Sequence, residues 1–299
     1  MEKRLKLNKK IGMLIICTIT IIISFILYNN LKISITPNIR ELSKASMGAK
    51  TGPIWAKAIG SAEGSEIINS AVDTKDGGYI VAGQFNSETV DLGNGIILNN
   101  QGGTDGMIVK YNSENELEWA KPIGGEQNDF IESIVQTNDE GYVAVGNFKS
   151  NTLDFGNNIS VNKVVQDSIY TTDMVIVKYN NKGEAQWAKS IGAKEGHNDI
   201  KIIQKTSDGG FVVGGSFNSL SVNIGNNITL SNSSYSKDHQ NTCAFFIKYN
   251  NNGIPQWAKT IGGSYSNYIY SVAQTKDGSY IVGGQFTDLN TINLGNNVK

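Results

Sequence analysis

The chain has 299 residues, 33 glycines, two cysteines and near-balanced charge, with 26 Lys and Arg against 27 Asp and Glu. Nine of those bases and two of the acids fall in residues 1–50, which leaves 17 bases, 25 acids and a net charge of −8 for residues 51–299. An acidic body argues against nucleic-acid binding, which needs a basic footprint. A single cysteine there excludes an internal disulfide.

Residues 1–10 form a basic leader with Lys3, Arg4, Lys6, Lys9 and Lys10, and residues 11–28 follow without a charge. Eighteen residues of helix rise about 27 Å, close to the roughly 30 Å hydrocarbon core of a bilayer. The segment is predicted to be a transmembrane signal-anchor helix, with the N-terminus cytoplasmic and the remainder extracellular. The alternative is a secreted chain after signal cleavage, although Tyr28 to Ser34 offer no small-x-small site. Cys17 follows Ile16 where a lipoprotein box needs a small residue. Residues 29–52, with Pro37, Ser and Lys, read as a linker holding the next part off the membrane.

Residues 53–299 are a repeat. Trp55, Trp119, Trp187 and Trp257 each open Trp-Ala-Lys-x-Ile-Gly, at spacings of 64, 68 and 70 residues. Such a period, filled with short β-type runs, predicts small sheets that bury their apolar faces by stacking. In the second copy the runs are Ile131 to Thr137, Tyr142 to Phe148, Met174 to Tyr179 and Ala185 to Ile191, each rich in Val, Ile, Tyr and Phe and bounded by Gly, Asn and Asp. Four strands make one blade.

The first break reads Thr-x-Asp-x-Gly and carries Asp76, Asp139 and Asp208; Asp277 is followed instead by Ser279. An Asp that bonds the backbone two residues on, with a Gly at positive φ, predicts a tight hairpin that is slightly less favourable at Ser279. The second strand ends in Gly, a polar residue and Phe, as in Gly146 to Phe148. A glycine recurring inside a strand marks close approach of another backbone, which we read as crowding near a shared axis. The third strand ends Lys-Tyr-Asn, and each indole is expected to fill the gap between neighbouring sheets.

Trp-Ala-Lys-x-Ile-Gly, Thr-x-Asp-Gly-Gly-Tyr-Ile-Val-x-Gly-x-Phe, Val90 to Gly95 and Asp105 to Tyr111 together resemble the β-propeller repeats of bacterial surface and secreted proteins known as SBBP-type repeats. The resemblance covers roughly residues 53–299. It implies an all-β, propeller-type repeat array of about four four-stranded blades in an exported protein, and it implies no ligand. The array enters on a fourth-strand sequence, Ile54 to Ile59, and its last copy holds two strands and Asn293 to Val298. Two outcomes stay open: a ring closed by the first strand on the last blade, or an open arc.

Strand parity places any site. Connections between second and third strands share a face with those between blades, and recognition concentrates on such loops. The candidate binding face is Glu63, Glu66, Glu126, Asp129, Glu195, His197, Asp199, Tyr265 and Tyr268, with longer excursions around residues 161–172 and 231–242. It suits a glycan, another surface protein or Ca²⁺. Two histidines with no second cysteine nearby give no zinc spacing, and no residue pattern implies a cofactor or a catalytic group. The expectation is a binding or interaction scaffold that is not an enzyme. One alternative is a carbohydrate-active hydrolase using a pair of loop carboxylates; another is a truncated array without independent function. Residues 51–299 contain no arginine, so an anionic ligand would have to be held by lysine, without a bidentate fork.

Overall fold

This computed structural model describes residues 57–232, 235, 241–262 and 265–287. The basic leader, the 11–28 stretch, the linker, Trp55, Asn293 to Val298 and parts of the 231–242 excursion lie outside the described residues. All regular structure among those described is β-strand.

The first unit comprises β1 (Glu66–Asp73), β2 (Tyr79–Phe85), β3 (Thr89–Asp91), β4 (Ile97–Asn99), β5 (Asp105–Tyr111) and β6 (Leu117–Ile123). The second comprises β7 (Asp129–Gln136), β8 (Tyr142–Phe148), β9 (Thr152–Asp154), β10 (Ser160–Asn162), β11 (Asp173–Tyr179) and β12 (Ala185–Ile191). The third comprises β13 (Asn198–Lys205), β14 (Phe211–Phe217), β15 (Ser221–Gly225), β16 (Ile228–Ser231), β17 (Cys243–Tyr249) and β18 (Pro255–Ile261). The fourth, as described, is β19 (Asn267–Gln274) with β20 (Tyr280–Phe286). Each of the first three units is an antiparallel four-stranded sheet in simple order, such as β1-β2-β5-β6, and β19-β20 form a two-stranded sheet. The expected second, third and fourth strands match observed ones to within a residue, and the expected first strand begins two residues earlier, at Asp129. Sequence reading missed the small hairpins β3-β4, β9-β10 and β15-β16, each inserted between a second and a third strand. Their turns use left-handed Asn and Gly such as Asn94, Asn157 and Asn226.

The Thr-x-Asp turn forms as expected, but its glycine works differently. Asp76 Oδ1 accepts the Gly78 amide at 3.0 Å and the Thr74 hydroxyl at 2.5 Å. Positive φ falls one residue earlier than expected, at Gly77, Glu140, Gly209 and Gly278. Gly78, Gly141 and Gly210 are needed because a Cβ there would strike the carbonyl oxygen ending the third strand, that of Tyr111, Tyr179 or Tyr249. Beside β20 no third strand is described, and Ser279 keeps the turn, donating to Asp277 Oδ1 at 3.1 Å. The expected weakness at Ser279 is therefore absent from the turn's hydrogen bonding.

The strand glycines are also explained inside each sheet. A β-bulge interrupts every first strand, between Ile68 and Ser70, Ile131 and Ser133, Ile200 and Ile202, and Ile269 and Ser271. The bulged backbone presses on the second strand, so a Cβ on Gly146 would collide with the Phe130 carbonyl. The backbone that comes close is thus the sheet's own first strand.

Successive sheets stack through one recurring contact. Ile131 and Ile134 of β7 bury against Ile80, Ala82 and Ile108 of the first sheet. Ile200 and Ile203 bury against Val143, Val145 and Ile176 of the second, and Ile269 and Val272 against Val212 and Ala244 of the third. Each such isoleucine contributes about 1.5–3 kcal/mol of apolar burial. The three described indoles seal the outer margin of these joints. Trp119 donates to the Asn181 carbonyl at 3.2 Å and meets Tyr142 edge-on at 5.8 Å, Trp187 packs on Gly253, and Trp257 meets Tyr280 at 5.4 Å. The repeated lysines are buried and close each sheet on its own first turn: Lys110 pairs with Asp76 at 2.8 Å, Lys178 with Asp139 at 2.7 Å and Lys248 with Asp208 at 3.0 Å.

Candidate functional site

The connection entering each first strand meets the segment leaving the second strand, so both emerge on one face. Ser61 Oγ bonds Ser87 Oγ at 2.7 Å, the Gln127 amide bonds Ser150 Oγ at 2.9 Å, and the His197 amide bonds Asn218 Oδ1 at 2.6 Å. In the first three units the residue opening the first strand staples the two segments together. Asp129 is buried and accepts from the amides of Gly125 (2.9 Å), Lys149 (3.0 Å) and Ser150 (3.1 Å) and from the Ser150 hydroxyl (2.6 Å). Glu66 accepts from the Ser61 amide at 3.2 Å and from the Ser87 hydroxyl. Asn198 donates to the Thr172 carbonyl at 3.1 Å and Asn267 to that of Tyr265 at 2.8 Å. Glu66 and Asp129, named from sequence as candidate contacts, are thus engaged within the fold.

The other candidates divide. Glu63, Glu126, Glu195 and Tyr265 are exposed, and Glu195 accepts from the Tyr235 hydroxyl at 2.6 Å. Tyr268 is half-buried and stacks on Tyr270 with ring centroids 6.2 Å apart. His197 Nδ1 lies 3.0 Å from Thr172 Oγ1. Asp199 lines a cavity of about 320 Å³ at the joint between the second and third sheets.

That cavity is made by alternation along two neighbouring first strands. Phe130 and Glu132 of β7 and Asp199 and Lys201 of β13 line it, joined by Gln84, Asn147, Lys149 and Thr172. Glu132 and Lys201 are the extra residues of their β-bulges, the device that re-aims a side chain out of the pleat. Lys201 Nζ bonds Glu132 Oε1 at 2.6 Å, and Asn147 Nδ2 reaches the same oxygen at 3.1 Å. Asn147 also clamps the third sheet, accepting the Ile200 amide at 2.7 Å and donating to its carbonyl at 3.1 Å. Burial pushes the Asp199 carboxyl up, against the pull of Lys201 and His197. The site therefore offers an aromatic ring, amides, a hydroxyl and charges of both signs within one concave space.

Of the nine candidates only Asp199 lines this cavity. Phe130, Glu132, Lys149 and Lys201 were missed, although a signal exists. Positions that hold Ile67, Phe130, Asp199 and Tyr268, and Asn69, Glu132, Lys201 and Tyr270, differ in every copy while the intervening isoleucine recurs. No family model matches the chain, and no curated protein matches it.

Proposed function

We propose that this chain is a β-propeller-type array that binds a polyhydroxylated ligand, a glycan, in the cavity between its second and third blades, and catalyses no reaction. The observation that carries the reading is the convergence of Phe130, Gln84, Lys149, Asp199 and Lys201 on one pocket between otherwise repetitive blades. Sugar hydroxyls donate and accept at once, so they suit amides and charged groups set beside a ring. The absence of arginine from residues 51–299 argues against a site specialised for phosphate or carboxylate. The uncharged 11–28 stretch behind five basic residues supports display outside a membrane on one N-terminal helix.

A glycan array probed with the full chain in detergent tests the reading. Binding to a restricted set of glycans is expected, weakened at least tenfold by Asp199→Ala and by Phe130→Ala and unchanged by Glu63→Ala. Equal retention by all three variants would move the site elsewhere. One observation favours a second reading: Glu132, held by Lys201, and Asp199, pushed up, are two carboxyls in one cavity, the pairing of base and acid used in glycoside hydrolysis. Reducing ends released from a bound glycan, and lost in Asp199→Asn, would establish that alternative; none are expected.

A further inference from the structure

The inter-sheet contact occurs three times among the described residues, and among them each of its two halves stands once without a counterpart. The knob half is the first strand. Ile131, Ile200 and Ile269 are 1%, 0% and 0% exposed because each enters the preceding sheet, whereas Ile68, in the same register of β1, is 42% exposed. The socket half is the second strand. Ile80, Val143 and Val212 are 0% exposed beneath the following unit, whereas Ile281, at the same position of β20, is 62% exposed. The socket is also shaped for a knob. Gly283 stands where Gly214 receives Ile269 and Val272, and a Cβ on Gly214 would come within 2.7 Å of Ile269.

A polar lock at the first and third of these joints has matching ends. The Lys75 amide bonds Gln136 Oε1 at 2.9 Å, and the Ser207 amide bonds Gln274 Oε1 at 2.8 Å. The corresponding residues at the uncovered halves are Lys276 and Asp73, both exposed and opposite in charge. Attraction between them would replace the neutral contact.

We propose that these two uncovered sides are the halves of one interface, and that a second copy of this chain docks its β1 on the β20 side of the first, head to tail. The joint would repeat the internal ones, with Ile68 and Ala71 seated over Ile281 and Gly283 and Asp73 beside Lys276. A heterologous contact of this kind closes into a ring when its rotation permits and extends otherwise. Two copies joined at both ends would leave neither Ile68 nor Ile281 uncovered.

Sedimentation of the full chain in a mild non-ionic detergent tests this. Ile68 and Ile281 are exposed in the single chain, so Ile68→Asp and Ile281→Asp should keep the native far-UV spectrum. The unsubstituted chain is expected to associate as its concentration rises, and each variant alone is expected to remain a single copy. An equimolar mixture of the two variants is expected to give a complex of two copies and nothing larger, since one intact knob then meets one intact socket. A chain that stays single at every concentration, as closure on itself would produce, overturns the proposal. So does association that survives both substitutions, as contact through the apolar 11–28 stretch would, or a mixture that remains monomeric.

Discussion

Asp105 is buried with one amide donor, Gln101 at 2.7 Å, on Oδ2, while Oδ1 carries no hydrogen bond among the described residues. Burial, with the Asp129 charge adding to it and the Gln101 amide opposing it, pushes the carboxyl up to about 6. Asp76, Asp139 and Asp208 show the opposite case. Burial would raise them, but a lysine ammonium, a threonine hydroxyl and a turn amide hold each near 2. For Asp105 the folded-state value lies above the unfolded one, so its neutral form belongs to the fold. That contribution is complete below about pH 3.8 and is lost as pH rises through about 6. The third unit carries the uncharged Cys243 at this position. Asp105→Asn is therefore expected to stabilise the protein by about 1–2 kcal/mol at neutral pH. Thermal melts from pH 8 to pH 4 check it: the advantage should shrink below about pH 6 and vanish near pH 4, and a pH-independent gap would refute the assignment.

At the scale of the element, the same turn motif has different requirements in different units. Gly141 is pressed against the Tyr179 carbonyl that ends the third strand, whereas Ser279 keeps the same turn bonds where no such strand is described beside it. Gly141→Ser is expected to cost about 1–3 kcal/mol by overpacking, and Ser279→Gly to change stability by less than about 0.5 kcal/mol. Urea midpoints of the two variants separate this account from intrinsic turn preference, which would make Ser279→Gly clearly stabilising. These turns also mark what was legible in the sequence. The Thr-x-Asp hairpin, the second, third and fourth strands and the tryptophan joints follow from local pattern and spacing. The β-bulges and the Lys-Asp pairs were not legible, because each depends on how strands pair, whereas the small hairpins carry a local signal in turns such as Asn94-Gly95 that a count of four long strands passes over. At the site, loop position picked out Asp199 but also Glu66 and Asp129, whose carboxylates serve as internal staples. The cavity residues Phe130, Glu132 and Lys201 sit on strands, where a loop-based search does not look.

Across the whole molecule, stability is close to a sum of sheets and joints, so one substitution should have different consequences according to whether its joint is occupied. Ile131→Ala removes a buried knob between the first and second sheets and is expected to cost about 2–5 kcal/mol. Ile68→Ala makes the same chemical change in the same register of an uncovered strand, and in dilute solution it is expected to cost less than about 0.5 kcal/mol. Urea unfolding at low and high protein concentration decides between two accounts of that difference. If the uncovered side is inert, Ile68→Ala remains neutral at both concentrations. If it is a docking half, association stabilises the unsubstituted chain by mass action as concentration rises, and Ile68→Ala loses that gain while Ile131→Ala keeps its full cost throughout. Equal cost for the two substitutions in dilute solution would mean that β1 is covered within the single chain, and the proposed docking of a second copy would have to be abandoned.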